Sequence, residues 1–267
     1  MSRQRNFSGQ KKPFSKIVIA LVLLCVLILA VLFLFLLVRA LRKRLPPPPT
    51  GVTTPTASPA PARRGAFPEL AVKPPPLNEP FKGCPPEGDG GDPALNILKN
   101  RIDEGNYLPV EFDAVKNLPW PKAVERRDRN RWSSMDAAEV ARYEGTPVII
   151  EGYLFDAKLM GPESCNCHGA DNEFRDFHVW LTKQAGEDRM NSIVVETTPH
   201  LRARHPGWTT AALKKIARNK QRVRISGWLL LDPEHPDQVG KTRATIWELH
   251  PIMKIEAEQD SGWIALD

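Results

Sequence analysis

Two thiols and an imidazole stand within four residues, Cys165, Asn166, Cys167 and His168, directly after Glu163 and Ser164. Thiolate sulfur and imidazole nitrogen are ligands that zinc and copper favour, so Cys165, Cys167 and His168 are candidate metal ligands, with His178 and His200 as further donors. One residue separates the cysteines, whereas structural zinc sites place about two to four between paired ligands. The same run also reads as a redox-active thiol pair, as a strained local disulfide, or as packing residues in a tight loop. Cys84, far upstream, can pair with either cysteine and leave the other free. Idle thiols would be out of place in an oxidising compartment.

A second constellation comes from alternation along residues 176–182. Successive strand side chains point to opposite faces, so Phe177, Val179 and Leu181 share one face and Asp176, His178, Trp180 and Thr182 the other. The apolar set is expected to fill an interior and to leave His178 and Trp180 displayed outside. If residues 183–191 turn the chain back, His178 comes close to Thr197, with Glu196 and Thr198 nearby. Asp176, His178, Trp180, Glu196 and Thr198 thus form a candidate ligand-binding surface, whose plain alternative is a solvated polar face with one exposed tryptophan. A metal- or thiol-dependent enzyme would use Cys165, Cys167 and His178 as ligands and Glu196 as general base. His235 and His250 lie further on, beside Asp232, Glu234 and Glu248, and read equally as surface or packing residues. The sequence holds no GxSxG elbow, no HExxH helix and no phosphate-cradling glycine loop with lysine.

A third feature is basic. Residues 197–231 contain no acidic side chain but carry Arg202, Arg204, Lys214, Lys215, Arg218, Lys220, Arg222 and Arg224. Such a run can track a phosphate backbone, with Trp180, Trp208 or Trp228 as stacking surfaces, which is the single-stranded nucleic-acid alternative. The plain alternative is a solvated helix face, since residues 131–258 carry 17 basic and 18 acidic residues.

The elements that must position these residues begin with an anchor. Residues 17–38 are 22 consecutive apolar residues without charge, proline or glycine, about 33 Å of helix against a hydrocarbon core of about 30 Å. The stretch is too long for a signal-peptide core and is followed by Arg39, Arg42, Lys43 and Arg44, so a retained single-pass helix is expected. The basic tail 1–16 favours an inside N-terminus and an extracytoplasmic C-terminal domain, periplasmic in a Gram-negative cell. The whole-chain charge of +6 is misleading about the ligand. Residues 1–64 hold 11 basic and no acidic residues, and residues 65–267 hold 26 basic and 31 acidic, a balance of −5.

Residues 39–82 form a proline-rich linker, part of a stretch from Pro46 to Pro86 that holds 14 of the 26 prolines, which makes a semi-rigid spacer. Residues 83–131 are a transition segment, in which Asp92 and Pro93 set the first turn of a short helix. The acidic, glycine-rich turn before it lacks the spacing of a calcium loop. Residues 132–258 alternate as strands at 148–159, 176–182, 192–198, 222–231 and 245–257, with helices at 136–143 and 209–220, before a tail at 259–267.

This order, three strands, a helix and two strands, resembles the OB-fold, a five-stranded Greek-key barrel, over residues 146–258. The stretches GPESCNCHG, DFHVWL, VVETTP, RVRISGWLLLD and IWELHPIMKIE are similar to those of uncharacterised bacterial membrane-anchored proteins with such a barrel. The resemblance implies a mainly β fold with some α and a ligand face on the second and third strands, but no activity. The arginine and carboxylate motifs of staphylococcal-type nucleases, which share the barrel, have no counterpart here. The expectation is a membrane-tethered, noncatalytic binding module of the cell envelope, with zinc or copper as candidate cofactors and an unknown ligand or envelope protein as partner.

Overall fold

The computed structural model describes residues 67–267 except 69 and 71, together with Leu23. The expected span 17–38, the basic tail and much of the linker lie outside the described residues. Among the described residues no helix is long and apolar enough to cross a membrane.

The described chain runs α1 (Pro93–Lys99), β1 (Leu108–Val110), α2 (Phe112–Lys116), α3 (Ser134–Ala141) and β2 (Pro147–Leu159). It continues through β3 (Phe177–Thr182), β4 (Ile193–Thr197), α4 (Pro199–Arg204), α5 (Thr210–Arg218), β5 (Arg222–Leu231), β6 (Trp247–Gln259) and β7 (Gly262–Ala265). Five strands close into a barrel in the order β2, β3, β4, β6, β5 and back to β2. All its contacts are antiparallel except β4 with β6. This mainly β barrel with a few helices is compatible with the expected fold.

Closure depends on β2, which is long enough to serve two partners. Its first half pairs with β5 from Pro147 to Tyr153, and its second half pairs with β3 from Tyr153 to Leu159. Gly152 sits at the change of partner, where an added Cβ would meet the Thr182 carbonyl oxygen at 2.4 Å. A side chain there would force the strands apart. A register shift between Leu154 and Asp156 bends the strand further.

The interior follows the alternation. Phe177, Val179 and Leu181 of β3, Ile193 and Val195 of β4, and Trp247 and Leu249 of β6 join Val148, Ile150, Val223 and Ile225 in one apolar core. α5 adds Leu213 and Ile216 to it, and its start is fixed by the Thr209 hydroxyl, which accepts from the Ala212 amide at 3.1 Å.

The segment before the barrel is fastened to it. Asp92 caps α1 by accepting from the amides of Ala94 and Leu95, as expected from sequence, and also accepts from the Arg129 amide at 2.7 Å. Asn100 donates to the carbonyls of Pro86 and Cys165. Gly88 lies against the loop between β2 and β3: an added Cβ would come 2.2 Å from the Ser164 carbonyl oxygen, at a φ of +69°. Arg101 is buried, stacks 3.3 Å from the Trp228 ring centroid and pairs with Asp103. A disulfide joins Cys84 to Cys167 across 83 residues.

Two strands join the sheet from outside residues 132–258. The transition segment 83–131 supplies β1, which extends the sheet in parallel to β2, and the tail 259–267 supplies β7, which pairs with β6. Both strands are short and carry little apolar periodicity, so their structure comes from the edge they join.

Removing the disulfide frees a long loop in the unfolded chain. The Cys84→Ser, Cys167→Ser double variant of the full chain is expected to lose about 2–4 kcal/mol in denaturant unfolding under non-reducing conditions. An unchanged midpoint would show that the hydrogen bonds of the covering segment suffice.

Candidate functional site

The second face of β3 was expected to be exposed, and the structure corrects this. Asp176, Trp180, Glu196 and Thr198 are all buried, and His178 is nearly so. The alternation places them outside the barrel core as expected, but residues 81–103 and the loop 160–176 close over that face. Sequence alternation reports which face a side chain takes and not what later covers it. Trp180 packs under Arg189, whose guanidinium lies 3.8 Å from the ring centroid.

Register then gathers side chains from three strands. His178 of β3 stands opposite Glu196 of β4, one residue from the expected partner Thr197, and its Nε2 lies 2.7 Å from Glu196 Oε1. The parallel pairing of β4 with β6, through Val194 with Glu248 and Val195 with Leu249, brings Glu248 and His250 alongside Glu196. His250 Nδ1 is 3.5 Å from Glu196 Oε2 and 3.3 Å from Glu248 Oε1, and its Nε2 is 3.9 Å from Asp176 Oδ2.

The loop and the covering segment complete the cluster. Glu163 approaches from the loop and Lys99 from α1, with Lys99 Nζ 3.5 Å from Glu163 Oε2. Cys165 is a free, buried thiol whose Sγ lies 3.7 Å from Glu163 Oε2 and 4.0 Å from Asp176 Oδ2. Asn166 donates to Asp176 Oδ1 at 3.0 Å. Behind Glu248, the buried Arg243 bridges Glu248 and Asp232, each at 2.5 Å, and Asp232 also pairs with His235.

Of the sequence-derived metal set, Cys165 and His178 reach this cluster. Cys167 is bonded to Cys84, so the pairing is with the distant thiol and Cys165 is the cysteine left free. His168 turns outward to the Asp89 carbonyl, and His200 packs against Phe81. Glu163 and His250 join in place of Cys167, His168 and His200. Three groups have ligand atoms all within 4.8 Å of one another: Glu163 with His178 and Glu196, Glu163 with Cys165 and Asp176, and Asp176 with Glu196 and His250. The signal for His250 was its two-residue spacing from Glu248 on a strand parallel to the one bearing Glu196, which becomes visible once barrel order is imposed.

The electrostatics are those of an acidic site withdrawn from water. Five carboxylates, Glu163, Asp176, Glu196, Asp232 and Glu248, face two permanent cations, Lys99 and Arg243, which leaves three negative charges when all are ionised and the histidines are neutral. Burial, reinforced by neighbouring Glu163, pushes Asp176 up to about 6. Burial and then Glu248 push Glu196 well above the carboxylate range. Glu163 and Glu248 move down: burial opposes this, but Lys99 acts on the first and Arg243 and His250 on the second. Burial lowers His178 to about 4, which keeps its imidazole neutral. For His250 burial opposes the proton, yet Glu196 and Glu248 outweigh it and raise the pKa. Burial and the surrounding carboxylates raise the Cys165 thiol, which disqualifies it as a ready thiolate.

Two polar atoms of the cluster, Glu196 Oε2 and His250 Nε2, are buried with no hydrogen-bond partner among the described residues. Such atoms cost about 1–3 kcal/mol each unless something occupies their lone pairs.

Lys214 pairs with Asp156, Arg222 with Glu151, and Arg224 with Glu256, while Trp180, Trp208 and Trp228 are buried.

His235 illustrates how the outer end of the network titrates. Its hydrogen bond to Asp232 raises its pKa from 6.5 to about 9, so its contribution to stability is complete below pH 6.5 and lost as pH rises through about 9. Denaturant unfolding of wild type and His235→Ala is therefore expected to differ most at low pH and to converge above pH 9. A pH-independent gap would rule out the ion pair as its source. Compared with protein-family models, with curated proteins and with solved structures, the chain finds no match in any of the three.

Proposed function

We propose that this chain is a membrane-tethered module of the cell envelope, built on an OB-fold-like barrel, that binds a divalent metal ion noncatalytically beneath its covering segment. The observation that carries this reading is the convergence of Asp176, Glu196 and His250, all fully or almost fully buried, with unpartnered Glu196 Oε2 and His250 Nε2 among their atoms. His250 Nδ1 faces Glu248, which Arg243 holds in turn. A metal-binding imidazole commonly gives its other N–H to a carboxylate in this way, which fixes the tautomer and aims the free lone pair at the ion.

The ligand atoms around Glu196 and His250 are nitrogen and carboxylate oxygen, since Cys167 is held in a disulfide and Cys165 converges with Glu163 and Asp176 instead. That set suits zinc, manganese or ferrous iron better than the thiolate-selected copper(I). A bound dication would also replace the protons that Asp176 and Glu196 otherwise retain.

The envelope assignment is supported by the disulfide, since such bonds persist in oxidising compartments, and by the apolar stretch and proline-rich spacer that precede the domain. The OB-fold-like assignment is supported by the barrel order, the parallel contact between β4 and β6, and the helices between β4 and β5. The complete burial of Asp176 and His250 supports binding over turnover.

The full chain, purified in detergent without chelators, is expected to carry at least one equivalent of zinc, manganese or iron by elemental analysis. Asp176→Asn and His250→Gln are expected to lower the affinity by about 10–100-fold or more. Wild-type protein that arrives metal-free and takes up neither Zn²⁺ nor Mn²⁺ would reject the reading.

A further inference from the structure

The ligands of the proposed ion do not exhaust the cluster. Glu196 presents its two oxygens to two different imidazoles: Oε1 lies 2.7 Å from His178 Nε2, and Oε2 lies 3.5 Å from His250 Nδ1. Glu196 also converges with a different carboxylate in each of two groups, Glu163 together with His178 and Asp176 together with His250. We infer that the site takes a pair of divalent ions bridged by Glu196, an inner one held by Asp176 and His250 and an outer one held by Glu163 and His178. This rests on the metal-binding reading above and specifies its stoichiometry and ligands.

Two features favour a pair. Carboxylate bridging joins ions about 3.5–4 Å apart, and a single glutamate whose oxygens face separate donors has the shape that such a bridge needs. Both imidazoles present a nitrogen: His178 turns its Nε2 to the bridge, and His250 has an unpartnered Nε2.

The two positions differ in their access to water. The inner ligands Asp176 and His250 are wholly buried. Of the outer ligands, Glu163 is 25% exposed and His178 12%, and Lys99 pairs with Glu163 from the covering segment. The outer ion is accordingly the one that exchanges with solvent and keeps coordination positions open to water. Lys99 and an ion at Glu163 compete for the same carboxylate, so the lysine acts as a placeholder when the outer position is not loaded.

The test uses the full chain in detergent, stripped with chelator and reloaded with Mn²⁺ as the probe. Elemental analysis is expected to give two ions per chain, with an electron paramagnetic resonance signal broadened by coupling between them. A chelator challenge is expected to release them in two phases of equal amplitude, the faster one being the outer ion. His178→Ala is expected to retain one ion, released only in the slow phase, and Glu196→Gln to lose the coupling. Saturation of the wild type at one ion, released in a single phase, would overturn the pair but leave the metal-binding reading standing. Uptake of no ion would overturn both. Two ions retained in His178→Ala would overturn the assignment of the outer ligands.

Discussion

Excess negative charge buried against a barrel wall is the constraint from which the rest of this structure follows. Removing a carboxylate from water costs several kcal/mol unless a cation, proton or donor compensates it. Here five carboxylates share two permanent cations, Lys99 and Arg243. Each further feature of the face answers that imbalance: Asn166 donates to Asp176, Arg243 holds Glu248 and Asp232, and the protons retained by Asp176 and Glu196 reduce the charge. The proposed ions would complete the same compensation without requiring those protons. A hydrophobic face would have been simpler to bury, so the retained charge is an argument for a ligand.

Position follows from topology. His178 and Glu196 meet because β3 and β4 pair in antiparallel register, and His250 joins them because β4 and β6 run parallel. The parallel contact is the one place in the barrel where strands far apart in sequence run side by side in the same direction. It is also where Glu248 and His250 come alongside Glu196. The barrel core on the other face of these strands fixes the backbone, so the geometry of the cluster inherits its rigidity from Val179, Val195 and Leu249.

The covering segment turns this face from a surface into an interior. It is held by the Cys84–Cys167 bond, by Asn100 on the Cys165 carbonyl, and by close backbone approach at Gly88. It also contributes chemistry, because Lys99 arrives with it. The residues that follow the proline-rich spacer in the chain therefore cover the cluster.

By itself the sequence determined the elements. The strands at 148–159 and 222–231 and the cap at Asp92 were legible because apolar alternation and capping chemistry are local, acting over two to four residues. It also determined that Asp176, His178 and Glu196 lie opposite the core, since strand parity needs no tertiary information. What only the tertiary structure decided was what covers that face and what else reaches it. Glu163, Lys99, Glu248 and His250 enter from a loop, a helix and a later strand, and Cys167 leaves to bond a residue 83 positions away. Those placements depend on long-range pairing and on burial, and a single strand's pattern has the same appearance whether water or a folded segment lies above it.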